Sequence, residues 1–138
     1  MNATKPAISE IPRYTGKNKN GWSVEMHGTE AVDDSDQGYV GTFGNPLINF
    51  TIEGSGIKKA RVRNSKGKWL PYSTGFNTEQ GLGNDKTITG IEIVGKGYRF
   101  GVHTQGGQWL PAFTTSDVEG EVLGTIGCAI DAIWVDKI

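Results

Sequence analysis

The sequence has few of the residues and patterns on which most catalytic and metal sites depend. It contains one cysteine, Cys128, so no intrachain disulfide can form, and two histidines, His27 and His103. No Cys-x-x-Cys or His-x-x-x-His pair with zinc-ligand spacing occurs, and neither does a Gly-x-Ser-x-Gly elbow or a Gly-x-x-x-x-Gly-Lys-Ser/Thr phosphate loop. We therefore expect no metal, no cofactor and no hydrolytic activity from this chain alone.

The chain also lacks an excess of charge of either sign and any long apolar run. Its 14 Lys and Arg residues and 15 Asp and Glu residues leave a net charge of −1, whereas nucleic-acid-binding domains usually carry a basic surface. No stretch of about 18 apolar residues could span a membrane, and the N-terminus has no apolar signal-peptide segment. We expect no nucleic acid and no membrane as partners, and synthesis in the cytoplasm.

Cys128 and an acidic segment are the remaining candidates for chemistry. Cys128 precedes an apolar predicted strand, where an unpaired cysteine is usually buried, so we expect an inert thiol in the core. An enzyme that uses Cys128 with a histidine is the alternative. The segment Asp33-Asp34-Ser35-Asp36 resembles the start of a calcium loop, but Gly44 stands where the closing glutamate belongs. A solvated acidic turn is expected there, with weak calcium binding as the alternative.

Glycine and an internal repeat are what the chain does contain. Glycine makes up 21 of the 138 residues, against a usual share of about 7%, which favours an all-β domain of short strands and many turns. Trp69-Leu70-Pro71 recurs 40 residues later as Trp109-Leu110-Pro111. The apolar pattern of residues 88–93 recurs 42 residues later at 130–135 and 41 residues earlier at 47–52. The sequence therefore contains three copies of one unit.

The first copy differs most from the other two. Trp22, Val24 and Met26 alternate like a strand of the third copy, which places Trp22 in the core and makes His27 the counterpart of Arg63 and His103. On this alignment the first copy lacks the Trp-Leu-Pro hairpin.

The domain organisation follows from this alignment. Residues 1–17 are predicted to form a linker or N-terminal arm, and residues 18–138 a single domain. The copies are expected at about 20–54, 56–95 and 96–136.

Three units of about 40 residues, each built from short strands, predict a β-trefoil, with a β-prism or a two-sheet β-sandwich as alternatives. The residues that recur in the three closing segments are expected to form the core: Leu47, Phe50, Ile52, Ile88, Ile91, Ile93, Ile130, Ile133 and Val135.

The third copy carries four motifs in order: Val102-His103, Gln108-Trp109-Leu110-Pro111, Gly124-Thr125-Ile126-Gly127 and Ile130-Asp131-Ala132-Ile133. This succession resembles the repeat of the C-terminal wall-binding regions of clostridial phage endolysins and autolysins, which reads roughly V-H, G-x-W-L-P, Y-N, N-G-Y-A-G and G-x-x-I-D-A-I. The first copy supplies the best match to N-G-Y-A-G, at residues 37–41, and the second keeps the Trp-Leu-Pro element.

The resemblance extends piecemeal over about residues 22–135. It implies attachment to bacterial cell-wall glycan or peptidoglycan, with catalysis on a lytic domain in the same or another chain.

The residue types agree with carbohydrate binding. Aromatic rings stack on the flat C–H faces of sugars while nearby polar side chains hold the hydroxyls, and loops on a rigid scaffold are where binding residues usually lie. The candidate ligand-binding residues are Tyr39, Trp69, Tyr72, Phe76, Asn77, His103, Trp109, Phe113 and Asp117.

Two further alternatives remain open at this point. The Trp-Leu-Pro segments could be plugs of the core, and the fold could serve a protease inhibitor that acts through an exposed loop.

Five glycines are expected at turns or bulges and not as ligand contacts: Gly41, Gly44, Gly83, Gly124 and Gly127.

Overall fold

The computed structural model describes residues 9–29 and 38–138. Within these two ranges the chain forms strands and turns without any helix, which confirms the all-β prediction. No helix of membrane-spanning length and apolarity exists in the described part. The strands are β1 (Arg13–Asn18), β2 (Gly21–Trp22), β3 (Met26–His27), β4 (Val40–Gly41), β5 (Asn49–Glu53), β6 (Ile57–Asn64), β7 (Ile88–Gly95), β8 (Tyr98–Thr104), β9 (Phe113–Thr114) and β10 (Ile130–Lys137).

The strands form three antiparallel sheets. In the first, β1 pairs with β2, β3 and β5; the second has the order β4-β10-β8-β9; and the third is the β6-β7 pair. None of these sheets closes into a barrel within residues 9–29 and 38–138.

One long antiparallel pair recurs in each copy: β1 with β5, β6 with β7, and β8 with β10. The closing strands begin beside one another, because Leu47 N donates to Ile130 O and Ile88 N donates to Leu47 O, both at 2.8 Å. These bonds bring the starts of the three closing segments together, as their 41- and 42-residue offsets lead one to expect.

The core lies between the three strand pairs. All nine residues predicted to form it are at most 3% exposed. They pack in one cluster with side chains from the opposing strands, chiefly Tyr14, Val40, Val62, Phe100 and Val102. The recurring apolar pattern of the three closing segments therefore identified core residues of each closing strand correctly.

The first copy begins earlier than expected. Strand β1 pairs with β5 with Gly16 opposite Phe50, just as β6 places Val62 opposite Ile91. The prediction that 1–17 is an arm is thus wrong for residues 13–17, which belong to a sheet. The alignment through Val24 is also wrong, since that side chain is 88% exposed.

The first copy has its own tryptophan hairpin. In each copy the last residue but one of β1, β6 or β8 pairs with a tryptophan across a turn; the pairs are Lys17 with Trp22, Arg63 with Trp69 and His103 with Trp109. Trp22 is therefore a partly exposed hairpin residue and not a core residue. His27 is exposed, and the position expected for it is taken by Lys17.

Cys128 also differs from expectation. The thiol is exposed, because the residue lies in a turn that ends before β10, where Cys128 N donates to Thr125 O at 3.0 Å. The acidic segment 33–36 lies outside the described residues.

The glycines predicted at turns serve the backbone. Gly41 and Gly124 have φ of 104° and 130°, and each lies so close to a carbonyl of the opposing closing strand that a Cβ would collide with it. Gly83 makes the corresponding approach to Ile48 O. Gly44 and Gly127 also have positive φ, in the turns that follow.

Candidate functional site

Four aromatic rings and a carboxylate gather where the third copy meets the first. We call this group the Trp109 cluster: Tyr39, Phe43, His103, Trp109 and Asp131. His103 is the last residue but one of β8, Trp109 lies opposite it across the hairpin, and Asp131 lies on β10. The other two rings come from the segment around β4, which is held beside β10 by the pairing of Val40 with Ile133.

Three of the rings form a stack, and the fourth stands nearly perpendicular to them. Phe43 lies nearly parallel to Tyr39, with centroids 5.2 Å apart, and nearly parallel to His103, at 4.0 Å. Trp109 stands at 72–74° to all three, at centroid distances of 5.3–6.0 Å. Phe43 remains 49% exposed, so the stack presents an aromatic surface to solvent.

A buried carboxylate orients the histidine. His103 Nδ1 lies 2.6 Å from Asp131 Oδ1, and the second carboxylate oxygen accepts from Gly44 N at 2.7 Å. Asp131 is fully buried and His103 is 8% exposed. Because the carboxylate accepts a hydrogen bond from Nδ1–H, Nε2 is the ring nitrogen left for a ligand, and it bonds to no described residue.

A second aromatic group surrounds the other Trp-Leu-Pro hairpin. We call it the Trp69 cluster: Arg61, Arg63, Trp69, Tyr72 and Glu92. The guanidinium carbons of Arg61 and Arg63 lie 4.6 and 5.2 Å from the centre of the Trp69 ring. These distances are those of cation–π contacts.

Glu92 connects the members of the Trp69 cluster. Its fully buried carboxylate accepts from Arg61 Nε at 2.7 Å, from the Tyr72 hydroxyl at 2.9 Å and from Gly120 N at 2.6 Å. Burial, together with the hydrogen bond to Glu92, raises the pKa of Tyr72 to about 12. The Tyr72 hydroxyl, a predicted ligand contact, thus already has a partner inside the protein.

Phe76 and Asn77 lie in the loop after Tyr72. The Arg13 guanidinium covers the Phe76 ring at 3.8 Å. The Asn77 side-chain oxygen accepts from the backbone N–H groups of Glu79 and Gln80, at 2.9 and 3.2 Å, and so caps a turn. Both predicted binding residues have these contacts within the fold, and none joins them to Trp69 or Trp109.

Phe113 and Asp117 likewise contact the scaffold. The Phe113 ring packs edge-on against Phe100, 6.0 Å between centroids, at the margin of the core. Asp117 forms ion pairs with Lys58 and Lys96 at 3.1 and 3.5 Å, and the hydrogen bond from Lys58 lowers the pKa of this carboxyl. The structure therefore brings Tyr39, His103 and Trp109 together, places Trp69 with Tyr72, and leaves the other four elsewhere.

Two members of the Trp109 cluster were missed among the candidate residues. Asp131 was visible in the motif Ile130-Asp131-Ala132-Ile133, and a buried acid in an apolar strand is itself a signal of a partner. Phe43 stands in the turn that aligns with Thr125-Ile126-Gly127, and no sequence signal marked it, because single apolar residues at the surface are common.

Trp134 lies apart from both clusters. Its indole covers Gly101 of β8, where a Cβ would collide with the ring, and the Arg99 guanidinium carbon lies 5.7 Å from the ring centre.

Comparisons with known proteins gave no family assignment: no protein-family model, curated protein or solved structure matched the chain significantly. Within the described ranges, no group of three or more His, Cys, Asp and Glu side chains is placed to hold a metal ion.

Proposed function

We propose that this chain is a non-catalytic carbohydrate-binding module that attaches a lytic domain, in the same or another chain, to the walls of Gram-positive bacteria. One observation carries the proposal. The best-preserved motifs of the wall-binding repeat, although spread over two copies, meet in the Trp109 cluster: His103, Trp109 and Asp131 from the third copy and Tyr39 from the first.

The chemistry of the cluster suits a sugar. Its exposed aromatic surface offers a face for the C–H groups of a pyranose ring, as aromatic side chains pack well on apolar surfaces. Asp131 already holds the His103 side chain in one orientation. Nε2 can therefore accept a hydrogen bond from a sugar hydroxyl, or donate one to it, with little further loss of side-chain conformational entropy on binding.

The packing of the hairpins argues against a plug function for the tryptophans. Leu70 and Leu110 pack against the core cluster, whereas Trp69 and Trp109 are not among the buried residues or those packed on them. The leucines therefore close the core, and the tryptophans are left at the surface for another contact.

We also infer that the three units form a β-trefoil. The support is the recurrence, in all three copies, of a strand pair, a tryptophan hairpin and a glycine pressed against a closing strand. An experimental structure with six strands closed into a barrel is expected, and one in which the three units cannot be superposed would exclude this arrangement.

The test of function is sedimentation with intact Gram-positive walls. We expect Trp109→Ala to lower wall affinity about tenfold, because an aromatic contact contributes on the order of 1–2 kcal/mol. Trp69→Ala should also weaken binding, and the double variant should lose more than either, since linked sites on one polymer reinforce each other. Trp134→Ala is the matched control. The supernatants should contain no reducing sugar beyond that of walls alone.

The proposal fails if the folded double variant sediments with walls as well as the wild type does. Inhibition of a serine or cysteine protease at nanomolar concentration, without wall binding, would instead support the inhibitor alternative. Release of sugar or peptide from walls would show that the chain is an enzyme.

A further inference from the structure

Arg63 is a buried cation that has no carboxylate partner in the described part of the chain. The residue is 5% exposed, and its guanidinium donates from Nε to Thr89 Oγ1 at 3.2 Å and from Nη2 to Thr89 O at 2.8 Å. Both acceptors are neutral, and no carboxylate of residues 9–29 and 38–138 lies within ion-pair distance of Arg63. Charged side chains this deeply buried are usually paired with an opposite charge.

The third copy has a carboxylate at a position where the second copy has none. Thr89 and Asp131 are equivalent, since each follows the first residue of a closing strand and each carbonyl meets the equivalent glycine, Gly124 or Gly41. In the third copy His103 is paired with the Asp131 carboxylate. In the second copy the counterpart of His103 is Arg63, and a neutral threonine replaces the acid.

The fold makes room for this guanidinium. Gly90 lies opposite Arg63 on β7, and a Cβ there would come within 2.9 Å of the guanidinium carbon. The desolvated setting lowers the pKa of Arg63, as burial without a counter-ion should. Its Nη1 atom donates to no described residue.

The sequence segment that contains Arg63 is strongly basic although the whole chain has a net charge of −1. Residues 58–68 contain six cations and no acid, and residues 54–78 contain no Asp or Glu at all. Lys58, Lys59 and Arg61 are paired with acids from other segments, but Lys66 and Lys68, in the hairpin that leads to Trp69, have no ion pair among the described residues. Trp69 lies directly over the Arg61 and Arg63 side chains.

We propose that Arg63 and Trp69 form a subsite, distinct from the Trp109 cluster, that binds an anionic group carried by a wall polymer, either a phosphodiester or a carboxylate. That the anion belongs to a wall polymer rests on the proposed function. The Arg63 guanidinium supplies N–H donors to two anionic oxygens, a geometry that arginine forms with both groups. The two hairpin lysines add attraction that salt screens, so this subsite makes wall binding salt-sensitive.

The first experiment needs no wall. The melting temperature is measured in about 50 mM sodium phosphate or sodium glucuronate and in chloride of equal ionic strength. We expect the wild type to melt about 2–5 °C higher in at least one of these anions than in chloride, because a ligand of the native state stabilises it. Arg63→Gln should lose this rise, whereas Arg99→Gln, which removes the same charge from the strand facing Trp134, should keep it.

General stabilisation by phosphate acts on all variants alike, so only the difference between Arg63→Gln and Arg99→Gln counts. Thr89→Asp serves as a second variant should Arg63→Gln not fold, because it supplies the internal carboxylate found in the third copy. An equal rise in wild type and Arg63→Gln, or in wild type and Thr89→Asp, overturns the proposal.

The second experiment identifies the source of the anion. Walls are used intact, after cold hydrofluoric acid has removed phosphodiester-linked polymers, or after their carboxyl groups have been amidated. We expect Arg63→Gln to bind intact walls about tenfold more weakly than Arg99→Gln, as loss of a charged hydrogen bond should cause. The treatment that abolishes this difference names the anionic group, and no difference on intact walls overturns the wall assignment.

The two proposals can fail separately. Wall binding that depends on Trp109, without any anion effect at Arg63, would exclude only the proposed anion subsite. An Arg63-dependent rise in melting temperature without wall binding would support the anion subsite and exclude the proposed wall-binding function.

Discussion

At three equivalent positions the chain carries Lys17, Arg63 and His103, and the neighbours of each decide what it can do. Lys17 pairs with the exposed Asp85 at 3.2 Å, an ion pair of the kind that contributes little. His103 is held by the buried Asp131, and among the described residues Arg63 donates only to neutral acceptors of Thr89. One scaffold therefore holds three chemically different sites.

Core residues of the closing strands should be costly to truncate. Ile91 and Ile133 are completely buried, so we expect Ile91→Ala and Ile133→Ala to lower the free energy of unfolding by about 2–5 kcal/mol each. Ile126, 69% exposed, provides the same substitution at the surface and should change it by less than about 0.5 kcal/mol. Denaturant unfolding measures all three, and equal effects at buried and exposed positions would contradict the packing.

Tyr72 should make stability depend on pH in the alkaline range. Its pKa is raised to about 12 in the fold, whereas that of an unfolded chain lies near 10. The stabilisation from the neutral phenol is complete below about pH 10 and is lost as the pH rises through the folded value. Between about pH 10 and 12 the wild type should therefore lose more stability than Tyr72→Phe does. Parallel losses in the two proteins would mean that the phenol is not perturbed.

At the scale of the element, strand β1 shows why the first copy was misaligned. A strand facing the core normally alternates apolar residues, but β1 has Gly16 where the others have Val62 and Val102. The Leu47 side chain fills the space that a larger residue at Gly16 would need. Since the apolar group is supplied from another strand, the pattern of β1 itself carries little signal. The neighbouring exposed segment alternated by coincidence.

The closing strands were predictable for the opposite reason. All eight residues of β7 are buried, so its recurring isoleucines directly reflect that environment, and the same holds for the isoleucines at the start of β10. The apolar residues of segments 88–93 and 130–135 are irregularly spaced. This spacing corresponds to register shifts in both strand pairs, β6 with β7 and β8 with β10.

Whether β1 is structural or an arm can be decided by one pair of substitutions. Tyr14 is completely buried; its hydroxyl donates to Gly28 O at 2.7 Å and accepts from Val135 N at 3.0 Å. We expect Tyr14→Ala to cost at least about 3 kcal/mol of unfolding free energy, as losses of buried aromatic residues do. Val24 lies in the segment that the sequence pattern predicted to be the strand. We expect Val24→Ala to lower the free energy of unfolding by less than about 0.5 kcal/mol. The reverse order would restore the original alignment.

At the scale of the whole molecule, the candidate site depends on contacts between distant parts of the chain. The Trp109 cluster joins Tyr39 and Phe43 to residues that follow them by 60 or more positions. The sequence could show that each motif was present, because each is local. It could not show that motifs of two copies share one site, since that follows from the pairing of β4 with β10.

The most direct test of the account follows the four tryptophan side chains while wall glycan is added. Each indole N–H of Trp22, Trp69, Trp109 and Trp134 gives its own resonance in a nitrogen–proton correlation spectrum, assigned by single substitutions. On titration with soluble glycan strands released from Gram-positive walls, we expect the Trp109 resonance to shift most and that of Trp134, covering Gly101, to stay in place. A Trp109 resonance that does not move while the glycan is bound, or no movement of any resonance at saturating glycan, would contradict carbohydrate binding at the Trp109 cluster.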